Sequence, residues 1–133
     1  MPVDGGEPVQ VTREGGFQPI EGRDGRDLYY APSEERVTAV MKASTAGGQP
    51  IKVFEDVPIG QFDVLDRGIY FVAHTSQESQ LRFFDFTTKT TATVARGLGE
   101  VVALLTASAD GRRVFYSRVD SRGRDLMLVD KFK

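Results

Sequence analysis

Apolar and polar positions in this chain alternate over short runs and never hold a helical spacing. Leu81-Arg82-Phe83-Phe84-Asp85-Phe86 divides by alternation into Leu81, Phe83 and Asp85 on one face and Arg82, Phe84 and Phe86 on the other, so each face carries an aromatic ring. In Leu126-Met127-Leu128-Val129 both faces are apolar, the pattern of a strand covered on two sides. Bounded by Gly, Pro and Asp clusters, such runs predict strands at Phe17 to Glu21, Asp27 to Ala31, Thr38 to Ser44 and Ile51 to Phe54. A second group follows at Phe62 to Leu65, Gly68 to His74, Leu81 to Thr87 and Ala92 to Val94. A third lies at Val101 to Ala107, Val114 to Val119 and Asp125 to Val129.

The groups are copies of one unit. Asp4-Gly5-Gly6-Glu7-Pro8-Val9-Gln10-Val11 is echoed 42 residues later by Ala46-Gly47-Gly48-Gln49-Pro50-Ile51-Lys52-Val53. Asp24-Gly25 leads into Leu28-Tyr29-Tyr30, Asp66-Arg67-Gly68 into Ile69-Tyr70-Phe71, and Asp110-Gly111 into Val114-Phe115-Tyr116, the aspartates being 42 and 44 residues apart. A β-rich period of this length belongs to the propeller range. Val9 to Thr12 shares the Gly-Gly-x-Pro lead-in of the strand at Ile51, so it is expected to complete the third group as its outer strand, within the same chain or in a second copy. The expected fold is all-β: residues 1–133 form a partial β-propeller of blades 17–54, 62–94 and 101–129, the last completed by 9–12. Three four-stranded blades are half of a six-bladed ring, reached by pairing of two copies or by further blades of a longer chain.

Composition agrees with strands: 15 Val, 4 Ile and 10 Thr stand against 8 Leu. With no Cys there is no disulfide, thiolate nucleophile or cysteine-bound metal, and the single His supplies imidazole sites poorly. A net charge of -2 gives no reason to expect a nucleic-acid partner. No apolar stretch approaches the roughly 20 residues of a membrane helix, and the first residues have neither a basic nor an apolar leader segment, so neither membrane insertion nor a targeting segment is expected. A cytoplasmic or periplasmic home fits equally.

Ser108-Ala109-Asp110-Gly111-Arg112-Arg113-Val114-Phe115-Tyr116-Ser117 resembles the Ser-Pro-Asp-Gly-x-x-aliphatic-x-aromatic-Ser core of the TolB-like, WD-like β-propeller repeats. Gly22 to Tyr30 matches the second half of that core, and Val64 to Phe71 is a more decayed copy with Arg67 set between Asp66 and Gly68. Ser121 to Phe132 resembles the last blade of propellers at the C-terminus of multidomain bacterial regulators and signalling proteins. The resemblance spans essentially the whole chain and implies blades, while one such scaffold hosts many functions.

Asp24, Gly25, Asp66, Gly68, Asp110 and Gly111 are therefore expected to be structural turn residues, Asp accepting backbone N–H groups and Gly taking positive φ. Recurring once per unit, these aspartates are spread apart rather than gathered for a metal. The glycine pairs lack a phosphate-loop pattern, and no cofactor is expected. His74 with a loop Ser and an Asp makes a hydrolytic triad only on paper, since nothing marks a nucleophile elbow or oxyanion hole, and the chain is expected not to be an enzyme. The favoured reading is a binding or scaffolding module for a protein or peptide. Its candidate interface lies on the connections between units and between second and third strands: Arg13, Glu14, Asp56, Arg96, Glu100, Arg122 and Arg124. Substrate-gating or accessory blades of a larger hydrolase or signalling protein are one alternative, and a structural fragment without a ligand is the other.

Overall fold

A computed structural model of the chain describes residues 3–120 and 123–130, with backbone alone at 123–125. The described residues form three antiparallel sheets of four, four and three strands. The first holds β1 (Phe17–Glu21), β2 (Asp27–Ala31), β3 (Val37–Ser44) and β4 (Ile51–Pro58). The second holds β5 (Phe62–Val64), β6 (Gly68–His74), β7 (Ser79–Asp85) and β8 (Thr91–Ala95). The third holds β9 (Glu100–Ala107), β10 (Arg113–Asp120) and β11 (Gly123–Asp130). Within every sheet the strands pair in chain order, so each is an up-and-down meander.

The sequence places these strands closely, with three differences. β7 covers Ser79–Asp85 rather than the expected Leu81 to Thr87. β4 continues to Pro58, beyond the expected Phe54, through register shifts in its pairing with β3. The expected twelfth strand is absent: Val9 to Thr12 carries no strand, Val9 is 77% exposed, and β11 pairs with β10 alone. The count among the described residues is thus eleven. The arm leaves from β1 in the first sheet, whereas β11 lies in the third, and the second sheet stands between them.

The second sheet is the keystone because both of its faces are buried. From β6, Ile69, Phe71 and Ala73 enter one apolar cluster with Tyr29, Val40 and Val57 of the first sheet. Tyr70 and Val72 enter the other, with Val101, Leu105, Val114 and Tyr116 of the third. β7 and the residue after it divide likewise, Leu81 and Phe83 facing the third sheet, Phe84 and Phe86 the first. Each fully buried large side chain contributes about 1.5–3 kcal/mol. Phe54 stacks on Phe71 at 4.4 Å between ring centroids, tying β4 to β6.

The third sheet is covered on one side only. Met127 and Val129 pack inward, while Phe115, Leu126 and Leu128 are 39%, 84% and 50% exposed. The expected cover on both faces of β11 is not supplied by the described residues. On the first sheet's outer face, Leu28 and Phe17 are half-buried and Tyr30 is buried. Gly16 and Thr12 close over that region, a β-carbon at Gly16 falling 3.2 Å from the Tyr30 ring.

A repeated backbone feature joins the sheets. Gln18, Gly60 and Ala103 take positive φ of 52°, 84° and 59°, one residue per unit. The Gly60 N–H donates to Gln18 Oε1 at 2.6 Å, and the Leu105 N–H donates to the Gly60 carbonyl at 3.0 Å. Each unit is hydrogen-bonded to the next near its first strand, and the period seen in the sequence recurs in backbone conformation.

Candidate functional site

A meander sends alternate hairpin connections to opposite ends of the sheet. The connections β2–β3, β4–β5, β6–β7 and β8–β9 therefore share one end, and an open cleft of about 820 Å³ runs between them, lined by Arg36, Pro58, Gln61, His74, Glu78 and Glu100 among others. All three sheets contribute to it.

The β6–β7 hairpin forms one wall. Its turn is closed by the Thr75 N–H donating to the Glu78 carbonyl at 2.8 Å, and Thr75 Oγ1 accepts the N–H groups of Gln77 and Glu78 at 3.3 and 3.1 Å. His74 and Ser79 are a cross-strand pair, with His74 Nδ1 and Ser79 Oγ 2.7 Å apart. Ser79 is buried, and the pair ties together the two ends of the hairpin.

A separate series of donors and acceptors lies on the same hairpin. Arg82 donates through Nε and Nη2 to Gln80 Oε1 at 3.1 and 2.9 Å, Gln80 Nε2 donates to Glu78 Oε1 at 2.9 Å, and Arg96 Nη1 reaches the same oxygen at 3.3 Å. Donation from Gln80, joined by Arg96 and the Gly97 N–H, holds the Glu78 carboxyl below the usual range. Gln61 is 5% exposed, donates from Nε2 to the Val101 carbonyl at 3.2 Å, and keeps a buried Oε1 without a hydrogen-bond partner. Such an orphaned acceptor is uncommon in a native interior.

The residues expected at an interface divide between places. Arg96 reaches Glu78 at the cleft, and Glu100 lines it. Asp56 is exposed within β4 at a positive φ of 61° and does not line the cleft. Arg13 and Glu14 are exposed on the arm before β1, Glu14 near enough to help raise the Tyr30 hydroxyl pKa, which burial raises most. Arg122 and the side chain of Arg124 lie outside the described residues. The sequence places Gln61 and Gln80 at the ends of the connections Asp56 to Gln61 and Thr75 to Gln80, and Arg82 on a strand face, without marking any of the three as a site residue. An alternating pattern marks a strand face without showing which polar side chains meet across a hairpin.

The Asp turns sit at the opposite end. Asp24 Oδ1 accepts the Arg26 N–H at 2.9 Å and Asp110 Oδ1 the Arg112 N–H at 3.0 Å, with Gly25 and Gly111 at φ of 70° and 71°. A side chain would clash in that conformation. Ser108 also donates to Asp110 at 2.6 Å; this bond, followed by that from Arg112, holds the Asp110 carboxyl below its usual range. The middle turn is built differently. Gly22 pairs with Asp27 and Ser108 with Arg113, but Leu65 pairs with Gly68, which closes the turn two residues earlier. Arg67 is thus no insertion but half of a two-residue loop, and Gly68 is a strand residue. A β-carbon there would lie 1.9 Å from the Phe84 carbonyl oxygen, so close strand packing, not positive φ, requires glycine.

Among the described residues no group of three or more His, Asp or Glu side chains is placed to hold a metal ion, and no helix is long and apolar enough to cross a membrane. No protein-family model matches the chain, and no curated protein matches it.

Proposed function

We propose that this chain is a set of TolB-like propeller blades acting as a non-catalytic protein-interaction module. The cleft at the loop-bearing end carries this reading: connections from three sheets converge there, and its wall includes Glu78, which accepts hydrogen bonds from Gln80 and Arg96. Such a surface suits an extended peptide, whose charged groups can meet Arg96 and Glu100.

A peptide-display selection tests it. Enriched peptides should bind the wild type and lose binding when Arg96→Glu and Glu100→Arg are introduced together. Failure to enrich, or binding indifferent to both changes, would overturn the assignment. Turnover of an ester or peptide substrate that disappears in His74→Ala would overturn the non-catalytic reading.

Self-association into a ring belongs to the same proposal. The bare face of Phe115, Leu126 and Leu128 and the free edge of β11 form one continuous unsatisfied side. Gly5 and Gly6 have φ of 107° and 127°, close to the 101° and 114° of Gly47 and Gly48, which precede β4. The arm from Gly5 to Val11 thus repeats both the sequence and the backbone bend that introduce a fourth strand, and it suits the edge of β11 in a second copy.

A further inference from the structure

The backbone bonds that close the Asp turns bring the three units into correspondence: Gly22 pairs with Asp27, Leu65 with Gly68 and Ser108 with Arg113. Counting on from these pairs, Tyr29, Tyr70 and Phe115 are equivalent, and Lys42, Phe83 and Leu128 are their partners on the next strand. Tyr29 packs in the cluster shared with the second sheet and Tyr70 in the cluster shared with the third, so each faces the sheet that follows its own. Tyr70 is 6% exposed, whereas Phe115 is 39% exposed. Leu81 and Leu126 stand two residues before Phe83 and Leu128; the first is fully buried and the second is 84% exposed. The third sheet thus carries the front face of a unit with no following sheet upon it among the described residues.

The rear face of a unit receives the unit before it. Ile69, Phe71 and Phe84 take the first sheet, and Val114, Tyr116 and Val129 take the second. In the first sheet the same positions are Leu28, Tyr30 and Ala43, all apolar, and they belong to neither cluster. The arm before β1 already stands at this rear face. Phe54 of β4 stacks on Phe71 of the following sheet at 4.4 Å, and Thr12, 42 residues earlier than Phe54, lies at Tyr30: a β-carbon at Gly16 would be 3.4 Å from Thr12 Oγ1 and 3.2 Å from the Tyr30 ring. The arm therefore occupies the place of a fourth strand from a preceding unit, with no strand paired to it among the described residues.

We infer that the front face of the third sheet docks on the rear face of the first sheet in a second copy, a head-to-tail contact made twice about a two-fold axis. The docking rests on the self-association proposed above and names the surface that answers it. Apolar face then meets apolar face, and the same approach delivers the arm to the free edge of β11. Contact between two third sheets would supply neither. The interior junctions also fix which residues meet. Tyr29 stacks on Phe86 of the following sheet at 5.6 Å between centroids. Asp85 pairs with Gly68 as Ser44 pairs with Asp27, so Thr45 is the counterpart of Phe86. Phe115 of one copy lies over Thr45 of the next, whose exposed hydroxyl is anchored to the Gly25 and Arg26 carbonyls at 3.1 Å each.

The chain has no cysteine, so an introduced thiol is unique. Phe115→Cys and Thr45→Cys proteins, refolded together from urea and treated with a short bismaleimide, should cross-link in about half of all pairs, the statistical share of mixed dimers, each of which holds one such contact. Either variant alone should stay free of cross-links. Leu128→Cys, directly across from Phe115 on β11, takes the place of Phe115→Cys where loss of the ring changes the dimer mass. Cross-linking of Phe115→Cys or Leu128→Cys with itself, or a dimeric mixture that cross-links no more than the single variants, would overturn the docking and leave self-association standing. A wild-type monomer in light scattering would remove self-association, and the docking with it.

Discussion

Asp63 of β5 grips Ala107 of β9: its Oδ2 accepts the Ala107 N–H at 2.8 Å and the Thr106 hydroxyl at 3.2 Å, while Oδ1 accepts the Val64 N–H at 2.8 Å. One carboxylate thereby bolts the second sheet to the third at the seam where their first strands meet. Asp63→Ala strands a partly buried N–H and should cost about 1–3 kcal/mol in urea denaturation. Asp63→Asn, which keeps an acceptor, should recover part of that loss; equal midpoints for wild type and Asp63→Ala would show that the seam is held by apolar packing alone.

Gly68→Ala should be among the most damaging single changes, costing about 3 kcal/mol or more, because β6 cannot move away from the Phe84 carbonyl without opening both clusters. Gly47→Ala, at positive φ but in open space, should cost only about 1 kcal/mol. Comparing melting temperatures checks the order. A Gly68→Ala protein as stable as Gly47→Ala would contradict the close approach of β6 and β7.

Phe115 and Leu128 face each other directly across β10 and β11 on the uncovered side. Light scattering should give about twice the 14.7 kDa chain mass, and Phe115→Lys with Leu128→Lys should return the protein to monomer with its circular dichroism unchanged. A folded wild-type monomer at micromolar concentration would remove the ring proposal.

Removing residues 1–13 should leave the β11 edge without its proposed partner and raise aggregation on storage. Unchanged solubility and melting temperature in the truncated protein would mean that the arm pairs with nothing.

Burial is the largest cause raising the pKa of each of the four tyrosines, Tyr29, Tyr30, Tyr70 and Tyr116. A group whose pKa is higher folded than unfolded stabilises fully below its unfolded value and loses that contribution as pH rises through the folded one. Stability should therefore be level at neutral pH and fall from about pH 10 upward, Tyr29 losing its share by about 12. Tyrosinate absorbance followed in native and urea-unfolded protein checks the sign: the native curve should lie to the alkaline side.

Strand positions were legible because burial on two faces leaves a direct trace in alternation. Phe83 and Phe84 sort to opposite clusters as their adjacency requires, and Met127 and Leu128 do the same up to the point where the outer face finds no cover. The arm at Val9 has the local chemistry of a strand, but a strand exists only where an edge is available, which is a tertiary condition. Arg67 misled for a related reason, since a decayed motif fixes neither the length of its turn nor the role of its glycine. The candidate sites were the least legible. Gln61 reads as an ordinary loop amide, and only its buried Oε1 without a partner sets it apart.

The left-handed residues at 18, 60 and 103 also have a directional consequence. Gly60 donates backward to Gln18 and accepts forward from Leu105, so in both of these bonds the later unit gives and the earlier one receives. The first sheet therefore offers a different surface from the third, as the two ends of a brick course differ when each brick has a tongue and a groove.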